Sequence, residues 1–214
     1  MDVANPIYDV VFMYLMQNQR VARLLIGRIT GLAVQSLTVS PQETAVRRTE
    51  AVPIVTIYFL GYALDDLSDE AVIDVCPRVT ERRTGRELAA SHPLVEGIHH
   101  RSHIIQIPRL ASRRRDELER LLAIFDQGLV KGNGRRDAHV LTIEEGEYPV
   151  ECAFVLRQLH EAMAEEEVRR TMEGEDLLLL AQAIRRLHGL GQDAEAIAAA
   201  LAVDADEVRR VLSR

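Results

Sequence analysis

Residues 53–62, PIVTIYFLGY, are apolar and β-branched almost throughout. A run without polar alternation is the pattern of a strand buried on both faces, so Pro53–Tyr62 is expected to be a central strand. A central strand needs neighbours on both sides. Ala33–Val39 offers one, with Leu37 and Val39 on one face against Ser36 and Thr38 on the other. Residues 70–76 and 102–107 (SHIIQI) offer two more, separated by the turn-rich pieces Thr84-Gly85-Arg86 and His92-Pro93.

Around these strands the apolar period changes from two to about 3.6. Val11, Phe12, Leu15, Met16, Val21, Leu24, Leu25 and Ile29 predict helix from Ile7 to Ile29 with a break near Gln17–Gln19. Asn5 is placed to cap it, Pro6 suits the first helical position, and Gly31 closes it. Pro108 ends the last strand, and Ser112 is expected to cap a helix to about Gln127, with Leu118, Leu121, Leu122 and Phe125 facing inward. After the loop GLVKGNGRRD (128–137), His139–Ile143 reads as a short strand. Pro149–Met172 then reads as one long amphipathic helix, buried through Val155, Leu159, Met163, Val168 and Met172. Further helices are expected at 176–188, 194–201 and 205–213. The architecture is therefore mixed α/β followed by a small helical module, and a boundary near Gly174 divides the chain into 1–174 and 175–214.

Composition narrows the function. At 214 residues, 47% hydrophobic and 28% charged, the chain is long enough to bury a core and is neither disordered nor fibrous. No apolar run reaches the roughly 18 residues of a membrane span, and Met1–Asn5 lacks a basic region before an apolar stretch, so a cytoplasmic protein with no membrane partner is expected. Cys76 and Cys152 are far apart and read as small buried hydrophobes rather than a disulfide or zinc pair. The net charge of −7 argues against indiscriminate nucleic-acid binding. The charge is uneven, however: residues 144–176 carry eleven acids against three arginines, and residues 101–120 carry six arginines against three acids. Such stretches can pair within the protein or between copies.

Three stretches, taken in order, carry a resemblance. They are NPIYDVVFMYLMQNQRVARLLIGRITG with SLTVSPQE (5–43); PIVTIYFLGYALDD (53–66) continuing into SHIIQIPRL and RRRDELERLLAIFDQ (102–127); and EGEYP with EEEVRRTMEGED (145–176). Together they resemble the PD-(D/E)XK nuclease family transposases, the bacterial group that includes the recombination-promoting nucleases. The resemblance covers most of the chain. It implies a reduced restriction-endonuclease-like mixed sheet flanked by helices over 1–174, with 175–214 as a helical tail of helix-turn-helix cadence.

One departure bears directly on activity. Members of that family carry a catalytic β-hairpin, a strand ending in Asp and then one with Glu-x-Gln or Glu-x-Lys, between the PQE segment and the strand that here is PIVTIYFLG. Only nine residues, Thr44–Val52, join Glu43 to Pro53, too few for two core strands and a helix. A check on the residues alone agrees. Metal-assisted phosphodiester cleavage needs clustered carboxylates and a cationic or amide partner, and an acid two positions before Lys or Gln puts both on one face of a strand. Lys131, the only lysine, follows Leu129 by two, and none of the nine glutamines follows an acid at that spacing.

The resemblance carries over two carboxylates, Asp9 in the first helix and Glu43 after the first strand, as the residues that would approach a metal. Read alone, Asp9 is equally a first-turn acid favoured by the helix dipole and Glu43 a solvated strand-end residue. Arg113, Arg114 and Arg115 are candidate phosphate contacts, with a solvated helix start as the alternative. Arg209, Arg210 and Arg214 are the candidates of the tail, whose core is read as Ile197, Leu201, Val203, Val208 and Leu212 with Asp204 capping the second helix. His99, His100 and His103 form a local cluster that no acid or cysteine completes as a metal set.

The expectation is a family protein without nuclease activity, a remnant or a partner and inhibitor of complete relatives, self-associating or pairing with them and needing no cofactor. The alternative is a Mg²⁺-dependent DNA endonuclease of recombination or transposition. A third class, a DNA-binding regulator acting through the tail, would bind without cleaving.

Overall fold

The computed structural model describes residues 1–37, 55–76, 78, 83, 86–87, 101–111, 114–132 and 137–213. The chain opens with a short strand, β1 (Asp2–Ala4), followed by helices α1 (Asp9–Gln17) and α2 (Gln19–Thr30). Asn18 separates the two helices, as the sequence pattern expects. Its side chain accepts from the backbone N–H of Arg20 at 3.0 Å and Val21 at 3.4 Å, ending one helix and capping the next. Gly31 closes α2 at φ 69°, a conformation that a Cβ disfavours.

The start of α1 departs from expectation. Asn5 does not cap it, and the N-cap position belongs to Tyr8, whose side chain makes no capping bond. Asn5 is instead fully buried, with its amide nitrogen donating to Gln127 Oε1 at 2.8 Å and to the Ala138 carbonyl at 2.7 Å. A buried amide is held where its donors and acceptors are satisfied. Here the nitrogen bonds across the core, while the oxygen accepts from Gln127 Nε2 at 3.1 Å and, in the turn before α1, from the Ile7 N–H at 3.2 Å.

A mixed sheet is formed by β2 (Val55–Leu60), β3 (Val72–Val75) and β4 (Arg101–Gln106) in the order β2-β4-β3. β2 runs parallel to β4, from Val55 opposite Arg101 to Leu60 opposite Gln106, and β3 runs antiparallel to β4. Among the described residues the central strand is therefore β4 rather than the apolar run 53–62. β2 lies at the edge among the described residues, and its side chains alternate: Ile57 and Phe59 pack against the core while Tyr58 is 51% exposed. Phe59 packs against Phe125 with ring centroids 4.5 Å apart and planes inclined at 42°, and meets Phe12 at 5.8 Å, which ties the sheet to α1. The expected strand at Ala33–Val39 is not formed over 33–37, and Thr38 and Val39 lie outside the described residues.

After β4, Pro108 sits inside a single helical turn, α3 (Ile107–Leu110). Helix α4 (Glu117–Leu122) is capped by Asp116, which accepts from Glu119 N–H at 2.8 Å, and it passes into a 3₁₀ turn at Ala123–Phe125. The cap expected at Ser112 lies outside the described residues. Strand β5 (Val140–Thr142) pairs antiparallel with β1 in a two-stranded ribbon, with Val3 opposite Leu141.

The helix expected over Pro149–Met172 is broken at Glu165 into α5 (Ala153–Ala164) and α6 (Glu166–Gly189). Conversely, no break occurs at Gly174, because α6 runs through it for 24 residues. The reason lies in what it packs against. Val168 and Met172 belong to the main core, whereas Ile184, Leu180 and Leu187 belong to a second cluster with Ile197, Ala198 and Val208 from α7 (Ala194–Leu201) and α8 (Ala205–Leu212). One continuous helix therefore serves two cores. Leu201, Val203 and Leu212 pack on the second core as expected, and Asp204 caps α8 by accepting from Asp206 N–H at 2.7 Å. Of the cysteines, Cys152 is buried as expected, but Cys76 is exposed. It follows the edge of the short strand β3, where nothing covers it among the described residues.

Candidate functional site

Asp9 is the one carried-over carboxylate within the described residues; Glu43 lies outside them. Asp9 is exposed and occupies the first turn of α1. It borders a cavity of about 250 Å³ whose other walls include Phe12, Phe59, Gly61, Ile107 and Phe125, where α1 meets the C-terminal ends of β2 and β4. Those walls are apolar. Among the described residues no group of three or more His, Cys, Asp or Glu side chains is arranged to hold a metal ion.

The chemistry around Asp9 is set by α6. Glu175 projects across to α1 and accepts from the backbone N–H of Asp9 at 3.1 Å and of Val10 at 3.0 Å. The amides at a helix N-terminus are the donors that a phosphate would use. Here two of them are occupied by the protein's own carboxylate. One residue on, Asp176 accepts from the Tyr8 hydroxyl at 2.9 Å and is bonded to His139 Nε2 at 2.8 Å. Tyr8 and His139 are both buried, and their rings meet edge to face at 5.0 Å. Burial, and then the Asp176 carboxylate it donates to, raise the Tyr8 hydroxyl well above the ordinary tyrosine range, so it stays a donor. The set Tyr8, His139, Glu175 and Asp176 fastens the chain's start to α6.

The arginine candidates are placed as follows. Arg113 and Arg214 lie outside the described residues. Arg114 is ion-paired with Glu147 and lies over the Tyr148 ring, 5.7 Å from its centroid. One arginine of the basic stretch 101–120 thus pairs with one acid of the stretch 144–176 inside one chain, while Arg109 and Arg115 pair with acids outside that stretch. Arg115 is paired with Glu119 at 2.7 Å and with Glu70, and these two carboxylates, Glu119 first, hold its guanidinium more firmly protonated than usual. Arg209 is paired with Glu195 and with Asp206 at 2.5 Å. Arg210 donates to the Asp206 carbonyl at 3.3 Å. Three of the four described candidates are thus internally neutralised. The structure does not bring Arg114 and Arg115 together with Arg209 and Arg210 in any contact it records.

The histidine cluster resolves differently. His99 and His100 lie outside the described residues, while His103 is buried on β4 with Nδ1 bonded to Asp74 of β3 at 2.7 Å. It makes a cross-strand polar pair.

Sequence reasoning passed over Tyr8, His139, Glu175 and Asp176 as a set. Glu175 and Asp176 were visible only as members of an acidic run, and nothing local links position 175 to position 9. Comparison with known proteins adds no assignment: no protein-family model, no curated protein and no solved structure matches the chain.

Proposed function

We propose that this protein is an inactive relative of the PD-(D/E)XK nuclease family transposases, lacking the catalytic hairpin, and that it serves as a binding partner and inhibitor of complete relatives rather than as a nuclease. The observation that carries the reading is β2. Its composition is that of a strand enclosed on both sides, yet it pairs only with β4 among the described residues and leaves Tyr58 half in solvent. In the family that the sequence resembles, the catalytic hairpin and the helix that follows it precede this strand. A sheet from which that hairpin had been lost would leave such a strand at its edge, where natural proteins normally use short or charged strands.

The surroundings of Asp9 support absence of cleavage. Two of the amides that would meet a phosphate at the start of α1 are held by Glu175, and the cavity beside Asp9 is lined by aromatic and aliphatic groups. A metal-assisted hydrolysis needs several oxygen ligands around the ion and a positioned water.

The test is incubation of purified full chain with plasmid DNA and Mg²⁺ or Mn²⁺, together with co-expression alongside a complete relative. Cleavage is expected to stay at background, and the relative is expected to co-purify and cut DNA less. Nicking that vanishes in Asp9→Ala would overturn the reading in favour of a metal-dependent endonuclease. Absence of both co-purification and inhibition would overturn the partner role.

A further inference from the structure

Helix α6 presents an open stripe to solvent that is complementary to itself. Glu167, Thr171, Gly174, Leu178, Ala181 and Arg185 follow one another at alternating spacings of four and three, the repeat that lines residues along one side of a helix and suits a partner helix. All are exposed except Ala181, which is half-buried. Asp176, which points into the molecule toward Tyr8 and His139, lies on the opposite side of the helix.

Four features on and beside this stripe find no partner among the described residues of one chain. Leu178 on the stripe is 57% exposed, and Leu177 and Leu179, which flank it about 100° to either side, are 58% and 61% exposed, apolar surface that a folded protein ordinarily covers. Gly174 sits in mid-helix, where glycine is less favourable than alanine, yet a Cβ there would meet nothing within 4 Å. Glu167 at one end and Arg185 at the other are exposed opposite charges, and neither makes an ion pair among the described residues. The patch also continues sideways onto α1: Leu178 and Leu179 share a groove of about 390 Å³ with Ile7, and Glu167 and Thr171 share one of about 310 Å³ with Met13. Ile7 and Met13 are themselves exposed.

We infer that the occupant of this face is a second copy of the chain, with the two α6 helices packed antiparallel about a two-fold axis at residue 176. A two-fold interface requires that if residue i meets residue j, then j meets i. With the axis there, Leu178 of one copy falls opposite Gly174 of the other, Ala181 opposite Thr171, and Arg185 opposite Glu167, each pair occurring twice. All three pairs share that one midpoint. The leucine fills the space left by the missing Cβ, and the charges that form no ion pair among the described residues of one chain find partners in the other. A parallel pair would set Glu167 against Glu167 and Arg185 against Arg185. The inference stands on α6 and α1 alone and does not rest on the ancestry proposed above.

Sedimentation velocity on the full chain tests it by charge exchange. The parent is expected to dimerise with a dissociation constant of about 10 µM or tighter. Glu167→Arg and Arg185→Glu, each at an exposed position, are expected to weaken dimerisation by about tenfold when alone, since each sets like charges opposite one another twice. Mixed in equal amounts, the two variants are expected to recover parental affinity, because both cross pairs are then Arg with Glu. Leu178→Asp is expected to abolish dimers, with the circular dichroism of the parent retained. A parent that stays monomeric at the highest soluble concentration overturns the inference. So does a dimer indifferent to these changes, or a mixture of the two charge variants no tighter than either alone.

Discussion

Replacing Asp176 by alanine removes the acceptor that joins α6 to the start of α1. Its two oxygens serve Tyr8 at 2.9 Å and His139 at 2.8 Å. Both partners are buried, at 8% and 7% exposure, so each keeps an orphaned polar group away from water when the carboxylate goes. A hydrogen bond to a charged group contributes about 1.5–3 kcal/mol, which sets about 3–6 kcal/mol as the range for two. The Asp176 side chain is 21% exposed, so water can enter part of the space and the lower half of that range, about 3–4 kcal/mol, is expected. With a urea dependence of about 2–3 kcal/mol per molar, the unfolding midpoint should fall by about 1–2 M. Asp176→Asn retains an oxygen for the Tyr8 hydroxyl and should fall between parent and alanine variant. Gln182→Ala, exposed on the same helix, should stay within about 0.5 kcal/mol of the parent. Far-UV circular dichroism in urea reads all of them, at a chain concentration where the proteins share one oligomeric state. An Asp176→Ala midpoint within about 0.3 M of the parent would show that solvent serves Tyr8 and His139 as well as the carboxylate does, and would refute the clamp.

Acid stability offers a signed test. Lys131 and Thr142 hold the Asp2 carboxyl below its ordinary value of 3.8, so Asp2 stabilises the fold above about that pH and ceases to do so as pH falls through its depressed folded-state value. Asp2→Asn should therefore flatten the loss of stability below pH 3.8, and a parent and variant with parallel acid limbs would contradict it. Burial pushes the Cys152 thiol up to about 11 while Cys76 is exposed, so a thiol reagent at neutral pH should modify Cys76 in the native chain and reach Cys152 only on unfolding. Equal labelling rates would count against the burial. Ala202 holds φ 51° between α7 and α8, where a Cβ costs about 1–2 kcal/mol, so Ala202→Gly should raise the melting temperature despite glycine's greater freedom when unfolded. A lower melting temperature would show that the strain is absent.

What was legible in the sequence was local. The break at Asn18, the αL closure at Gly31, the inward stripe of Leu121, Leu122 and Phe125 and the cap at Asp204 each depend on residues within a turn or two, and each is found where the pattern put it. The misreadings are non-local. Whether 53–62 is central or at the edge depends on which strands flank it, and among the described residues only β4 does; its apolar composition reports burial that Phe12 and Phe125 supply to Phe59 without enclosing Tyr58. The cap of α1 was assigned to Asn5 by proximity, while the acceptor used, Glu175, is 166 residues away from Asp9. Separate helices ending at Met172 and starting at Asp176 are expected from the pattern, whereas packing at Met172 on one side and Leu180 on the other carries one helix through Gly174.

That last feature sets a phase relation between the two halves of the molecule. From Met172 to Leu180 is eight residues, so the stripe facing the second core is rotated by about 80° from the stripe facing the first. The aim of α7 and α8 relative to the sheet is thus encoded as a residue count along a rod. Deleting a single residue between those two positions would turn the whole C-terminal module by about 100° and draw it in by about 1.5 Å, whereas substituting residues there would leave its bearing unchanged. Length, more than identity, is the quantity that selection on this stretch would guard.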